Sequence, residues 1–397
     1  MIASKECFKS DFMKDSELKP DKVLDCGLDQ ALAAYDWNPS SPIDFAVDAF
    51  AADICCGASS HNISKIAEFA SSSIYADDDY EVDNFIADGD GYVRILNYLA
   101  TKAKVLSSAN TLNEEIVHMN TVVNKIIWGD SSTGHFSTVH AYNQNKTLTY
   151  KAHYVIVTIP SSLYADKLEA NDAYSSSVKF EPALPSELQQ VLKCIRYSNY
   201  IRVFLAYTEA FWDPSDTILK VIDDILMEAG DNSNVNSCWF GNGDHPSRAF
   251  FCFQNPLPAL KLTGQELKNP QLPVIICHIS GDFADRLLDV SDEGLVRMVS
   301  ESLASIYPNK AEIAKHPVES KVVSWAKEIY SKGAFAYARP GLKFSDLNKL
   351  TQKLTCSSKH GGLYLAGDAF TFEYLGCSQG AYLTGFKAAK SIIAEMN

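Results

Sequence analysis

Apolar and polar positions change period several times along this chain, and each change marks an element. Tyr92, Ile95, Leu96 and Leu99 recur at i, i+3, i+4 and i+7, the spacing of one helical face, and Asp88-Gly-Asp-Gly91 supplies the turn before them. The period then falls towards two. Residues 117–127, 136–142 and 147–159 are rich in β-branched and aromatic types and are parted by turn formers such as Gly129-Asp-Ser-Ser-Thr-Gly134. They predict a meander ending in a buried strand over 154–159. Pro185-Ser186 opens a second helix, with Ser186 and Gln189 spaced as a capping box and Leu188, Val191, Leu192 and Ile195 on its buried face. Strands of a second sheet follow at 201–207, 248–253 and 274–279. Residues 295–306 form an amphipathic helix stopped by Pro308, and the chain closes with a short strand at 363–366 and a helix over 379–395. Residues 1–40 are polar and weakly patterned, and read as partly irregular. No internal repeat or low-complexity tract interrupts this order, so the class is mixed α/β (α+β) without a clean strand–helix–strand series at its start.

A length of 397 residues allows two sizeable cores. With 46% hydrophobic and 21% charged residues, disorder is not the default. A formal charge of −14 removes the electrostatic footprint of a nucleic-acid binder, and leaves either a plain solvated surface or one that attracts cations such as polyamines. Ten cysteines show no C-x-x-C pair, and the adjacent Cys55-Cys56 do not suit an ordinary disulfide, which points to a reducing compartment. The nine histidines form no metal-binding pair. There is no apolar leader core in residues 1–30 and no membrane-length apolar run, so a cytoplasmic location is expected.

The most informative stretch is the last one. Gly362-Leu-Tyr-Leu-Ala-Gly-Asp368 is an apolar strand ending in a glycine and a carboxylate, and Gly376-Cys-Ser-Gln-Gly-Ala381 begins the final helix. Gly367 permits close approach of a backbone or ligand, Asp368 can accept from ligand hydroxyls, and the helix start offers free N–H groups to a diphosphate or an electron-rich ring edge. Gly380, Ala381, Gly385, Ala388 and Ala389 form a small-residue stripe suited to close packing on a sheet. By itself this is equally a packed helix with an ordinary start.

The run resembles the C-terminal flavin motif of the flavin-containing amine oxidases, and its Gly-Cys-x-x-Gly-Ala form resembles fungal polyamine oxidases and the related yeast corticosteroid-binding protein. Further likenesses follow in the family's order: Pro42-Ile-Asp44 with Asp48, Asp88-Gly-Asp-Gly-Tyr92, Asn120-Thr-Val-Val-Asn-Lys-Ile126, Val155-Ile-Val-Thr-Ile-Pro160, Phe180-Glu-Pro-Ala-Leu-Pro185, Phe211-Trp212, Trp325 and Lys332-Gly-Ala-Phe-Ala-Tyr337. The resemblance implies an interleaved two-domain fold. Residues 1–80 supply the helical part of the substrate domain, 81–165 a segment of the FAD domain, 166–320 the substrate domain and 321–397 the closing FAD segment. It also implies FAD held by Val123, Thr158, Trp325, Gly333, Gly367, Asp368, Gly376, Cys377, Gly380 and Ala381, with Trp325 walling the flavin.

Two features depart from the family. No strand–G-x-G-x-x-G–helix unit, which holds the FAD diphosphate, occurs in the sequence; an N-terminally truncated fold with an uncovered sheet edge, unpaired apolar surface and weak FAD binding is therefore expected. Arg202 stands where the oxidases carry a lysine that holds a water near flavin N5. Arginine stays protonated and spreads its donors in a plane, so it disturbs flavin reoxidation, or else simply pairs with a nearby carboxylate. The implied function is polyamine-type oxidation of a secondary amine, with hydride passing to flavin and O2 reduced to H2O2. The alternative is a non-catalytic binder of a flat apolar, steroid-like ligand. Cys377 replaces the cage tyrosine of the monoamine oxidases, which argues against a monoamine-type aromatic cage. Sequence leaves the oligomeric state open.

Overall fold

The computed structural model describes residues 24–40, 42–72, 91–129 without 108 and 110, 137–164 without 145, 178–213, 250, 252–256, 272–354 without 344, 347, 348, 351 and 352, and 361–396. The chain opens with short helices: α1 (Leu28–Ala33), α2 (Pro42–Ala49), which runs into a π-helical turn (Phe50–Ile54), and α3 (Lys65–Ser72). Then come α4 (Val93–Lys102) and the strands β1 (Val122–Ile127), β2 (Ser137–Asn143), β3 (Lys146–Ala152), β4 (Tyr154–Val157) and β5 (Lys179–Glu181). The middle of the chain gives α5 (Ser186–Cys194), β6 (Ile195–Tyr197), β7 (Ile201–Ala206), β8 (Cys252–Gln254), β9 (Val274–Ile279), α6 (Gly281–Arg286), α7 (Asp292–Ile306) and α8 (Ala311–Lys315). It ends with β10 (Glu319–Ser324), β11 (Ala336–Ala338), β12 (Gly362–Leu365) and α9 (Ser378–Met396).

Two cores organise these elements. One lies on the mixed-order sheet β10-β7-β9-β8, in which β7 pairs antiparallel with both neighbours. Ile201, Val203 and Leu205 alternate along β7 and are fully buried, as are Ile275 and Cys277 of β9, with Ile279 nearly so; Leu295, Val299 and Leu303 of α7 pack over them. Each such side chain contributes about 1.5–3 kcal/mol by leaving water. Ser291 caps α7 by accepting the Gly294 N–H at 3.1 Å, and Asp292 and Glu293 sit at the positive end of its dipole. The second core joins Ile126 of β1, Val157 of β4, Leu188, Val191 and Leu192 of α5, and Leu363 and Leu365 of β12.

Several expectations are corrected. The stretch 147–159 is not one strand: His153 breaks it, β3 stays in the sheet β3-β2-β1-β5, and β4 leaves to pair in parallel with β12. Residues 117–121 lie outside β1. The capping box of α5 does not form, because Gln189 turns its amide to the Leu184 carbonyl. Ile195 is not on the α5 face but starts β6, still buried. Of the 248–253 expectation, Cys252–Gln254 is strand, while 248, 249 and 251 lie outside the described residues, as do residues 1–23 and 88–90. The small-residue stripe on α9 is shorter than expected. Gly380, Thr384 and Ala388 are its buried positions, whereas Gly385 faces open space.

Some apolar surface stays exposed among the described residues. β12 pairs with β4 on one side; on the other it makes a single bridge, Leu354 to Leu363, among the described residues. Helix α4 buries none of its side chains and leaves Val93, Ile95, Leu96 and Tyr98 in solvent. The outer face of α9 exposes Tyr382, Phe386, Ile393 and Met396. Among the described residues no helix is long and apolar enough to cross a membrane.

Candidate functional site

The parallel pair β4–β12 brings two strand carboxyl ends together, the place where open α/β sheets take ligands. Thr158 leaves β4 exposed, and Gly367 and Asp368 leave β12. Gly367 has φ +145°, a conformation that L side chains rarely adopt, and a Cβ there would meet nothing closer than the Phe370 ring at 3.6 Å. Its backbone is pinned from α9: Thr384 Oγ1 accepts the Gly367 N–H at 2.9 Å and lies 3.1 Å from its carbonyl oxygen.

Asp368 is already half engaged. One carboxylate oxygen accepts the Tyr197 hydroxyl at 2.9 Å, the other the Ala336 N–H at 3.0 Å, so the two-stranded β6–β11 sheet is fastened to β12. Burial, reinforced by Asp368, raises Tyr197 far above the usual phenol range. Tyr164 is buried beside the same pair and is likewise raised by burial, then by Tyr197 and Asp368; its hydroxyl has no hydrogen-bond partner among the described residues. An ionised carboxylate has about four acceptor positions, so Asp368 keeps spare capacity.

The other expected glycines admit protein rather than open space. A Cβ on Gly333 (φ +147°) would stand 2.4 Å from Tyr197 Cβ, one on Gly376 (φ +74°) 2.4 Å from the Ala336 carbonyl oxygen, and one on Gly380 2.3 Å from that of Tyr374. Gly333 donates its N–H to the Trp325 carbonyl at 3.0 Å, which sets Trp325 beside it; the indole residue is 51% exposed. Cys377 is half-buried at the start of α9, its thiol raised by burial and then by Asp368, and Ala381 returns its N–H to the Cys377 carbonyl. Val123 sits in the other sheet, at the β1 bulge between Val123 and Lys125.

Arg202 stands on β7 opposite His278 of β9 and Val323 of β10. Its side chain is exposed and its guanidinium lies over the Tyr200 ring, 5.5 Å from the centroid. The expected alternative of a carboxylate partner is not met: among the described residues none is within ion-pair distance of Arg202. Beneath it runs a buried relay. The Tyr200 hydroxyl is 3.1 Å from His278 Nδ1, and His278 Nε2 is 3.0 Å from Gln254 Oε1. An amide oxygen only accepts, so Nε2 carries the proton and Nδ1 accepts from Tyr200. Burial, then the Arg202 charge, lowers His278 to about 4, which keeps the imidazole neutral. Tyr200 also packs at a tilt against Phe335, with ring centroids 5.9 Å apart, and the Phe335 ring fills the space that Cβ atoms on Gly57 and Gly376 would need.

The structure thus links Arg202 through Tyr200 and Phe335 to Gly376–Cys377, and Gly333 through Tyr197 to Asp368. Tyr197, Thr384, Tyr164, Phe335 and the Tyr200–His278–Gln254 relay escaped sequence reasoning. Tyr200 was within reach of it, two residues from Arg202 on the same strand face. His278 was not, because only the β7–β9 register sets it opposite Arg202.

The sequence profile of the flavin containing amine oxidoreductases matches residues 21–393. The chain belongs to this family. Among curated relatives, a "possible lysine-specific histone demethylase 1" of Drosophila melanogaster is 23% identical over 282 residues, covering 70% of this chain and 28% of that protein. The peroxisomal N(1)-acetyl-spermine/spermidine oxidase of Bos taurus is 24% identical over 249 residues, covering 62% and 43%. Among solved structures, cyclohexylamine oxidase from Brevibacterium oxydans IH-35A superposes with a TM-score of 0.59 at 16% identity, covering 94% of this chain and 68% of that one. A putrescine oxidase with redesigned cofactor binding gives 0.57 at 17% identity over the same shares. The fold is that of the flavin amine oxidases, and the chain spans less than half the length of these two curated relatives.

The family's cofactor is FAD. The described residues fit its flavin-bearing part: a glycine whose missing Cβ would make only ordinary contact with Phe370, a carboxylate with spare acceptors and a buried hydroxyl without a partner among the described residues gather at the carboxyl ends of β4 and β12. A glycine-rich turn for the diphosphate is not among them.

Proposed function

We propose that the protein works as an FAD-dependent amine oxidase of polyamine type, acting on a secondary amine. The observation that carries this is the convergence of Gly367, Asp368 and the α9 start with the Phe335–Tyr200–Arg202 wall. FAD, when bound, supplies hydride acceptance and O2 reduction. The protein's share is orientation and exclusion of water. Asp368 offers acceptors to a polar chain of the cofactor, Thr384 fixes the Gly367 backbone, and Tyr200 and Phe335 give an apolar face for the carbon chain of an amine. Arg202 cannot serve as a proton acceptor, because guanidinium stays charged, and neutral His278 holds Tyr200 still beneath it.

The Arg202–Tyr200 stack also favours a second reading, a binder of flat apolar ligands without turnover, since no group at the lysine position can release a proton. Anaerobic bleaching of protein-bound FAD by spermine or N1-acetylspermine supports the enzyme. Bound flavin that no amine bleaches, together with a melting shift from a steroid probe, moves the choice to the binder. On either reading, Arg202→Lys speeds reoxidation of reduced flavin by O2, measured in a stopped flow.

A further inference from the structure

A polar cavity of about 290 Å³ lies beside the two-stranded β6–β11 sheet, and Arg202, Trp325, Gly367, Asp368 and Cys377 take no part in its wall. Arg196 and Tyr337 are register partners and project from one face of this strand pair, while Tyr197 leaves the other face to reach Asp368 and only borders the cavity. The wall is completed by Ser59 and Asn62, Ser162, Asp282 and Asp285 of α6, and Lys332 with Arg339.

The charges in this wall are unequally matched. Asp282 accepts from Asn62 Nδ2 at 3.1 Å and lies 3.3 Å from His61 Nε2, and Asp285 accepts from Asn199. Two of the three cations have less, whereas Arg196 is already engaged, its Nη1 donating to the Ile195 carbonyl at 3.4 Å. Arg339 Nη2 donates to Asn62 Oδ1 at 3.0 Å, a neutral acceptor, and neither Arg339 nor Lys332 has a carboxylate within ion-pair distance among the described residues. Lys332 is moreover held at φ +50°, its N–H bonded to the Glu328 carbonyl at 2.8 Å. A non-glycine residue in that region is strained, and the surrounding turn must offset that strain to keep this ammonium where it is. The Tyr337 hydroxyl, raised by burial, feels Arg339, Asp285, Arg196 and Asp282 in turn, so a hydroxyl donor stands among the charges.

We propose that this cavity binds a small organic polyanion, a dicarboxylate or a phosphate ester, between Arg196, Lys332 and Arg339. The carboxylates Asp282 and Asp285 orient the asparagines rather than receive a cationic ligand. The ligand contacts segments drawn from residues 57–62, 195–199, 281–285 and 332–339, so it ties distant parts of the chain together and stabilises the fold by linkage. This site is independent of amine oxidation.

The test is thermal unfolding of the full chain titrated with succinate, with inorganic phosphate, with putrescine as the charge-reversed control, and with sodium chloride at matched ionic strength. The expected result is a saturable rise in Tm with succinate or phosphate and none with putrescine or salt; whichever anion saturates first separates carboxylate from phosphate recognition. Lys332→Gly, which suits the left-handed backbone, and Arg339→Met each raise the half-saturating concentration roughly tenfold. Arg202→Lys leaves it unchanged. No saturable rise with either anion, an equal response in Lys332→Gly, or a larger response to putrescine overturns the proposal.

Discussion

His278 makes the fold sensitive to mild acid, and the size of the effect follows from its surroundings. Unfolded, the imidazole titrates at its ordinary 6.5; folded, burial and Arg202 lower it to about 4. Between those values the unfolded chain binds more protons than the folded one, so stability falls as pH falls. From about pH 7 to about pH 5 the linkage relation gives a loss of about 2 kcal/mol from this one residue, approaching about 3 kcal/mol below pH 4. The groups that face it are Arg202 from β7, Tyr200, and Cys252 and Gln254 from β8. Cys252, pushed up to about 12 by burial, stays a neutral thiol throughout that range. Urea unfolding followed by tryptophan fluorescence at both pH values measures the loss. His278→Leu is less stable at neutral pH by about 1–3 kcal/mol, because it orphans the Tyr200 hydroxyl and the Gln254 amide, but it lacks the acid-dependent part. Arg202→Gln removes the second cause and moves the His278 midpoint up towards 6.5, read from its imidazole proton resonance. If His278→Leu loses as much stability between the two pH values as the parent, or if the parent imidazole titrates above pH 6, the relay as described is wrong.

Three further expectations can be checked by melting experiments. Gly376→Ala destabilises by roughly 1–3 kcal/mol, since its φ of +74° and the Ala336 carbonyl 2.4 Å from the new Cβ both oppose it; Gly385→Ala, mid-helix with nothing within 4 Å, gains about 0.5–1 kcal/mol. Asp368→Asn leaves either the Tyr197 hydroxyl or the Ala336 N–H facing an amide donor and costs about 1–3 kcal/mol, with a lower Tm as the readout. The pair Leu96→Ser and Phe386→Ser, at positions 62% and 55% exposed, changes stability by less than about 0.5 kcal/mol while reducing self-association in sedimentation.

What sequence could and could not reveal follows from the range of the interactions. Helix α7 and strand β9 are legible because their signal lies within the segment itself: Leu295, Val299 and Leu303 repeat at helical spacing, and residues 274–279 are apolar except for His278. Strand β4 misleads for the same local reason. Its β-rich sequence continues that of β3, and only its partner, β12, some 200 residues later, decides that the two belong to different sheets. The capping box at Ser186 fails because a nearer acceptor, the Leu184 carbonyl, captures Gln189.

The site divides along the same line. Gly367 and Asp368 could be marked in advance, since glycine and carboxylate at a strand end are chemically distinctive whatever they meet. Their settings could not. Asp368 holds the β6–β11 strand pair through Tyr197 and Ala336, so the carboxylate expected to serve a ligand is also a structural tie. Arg202 is the sharper case: sequence offers a disturbed lysine position or an ion pair, and among the described residues the guanidinium has no carboxylate partner but rests on Tyr200 over a neutral histidine. A charge supported by an aromatic face and an uncharged relay can turn to an incoming group without first breaking a salt bridge. Arg202 is therefore a group to test by substitution, whichever ligand occupies the site.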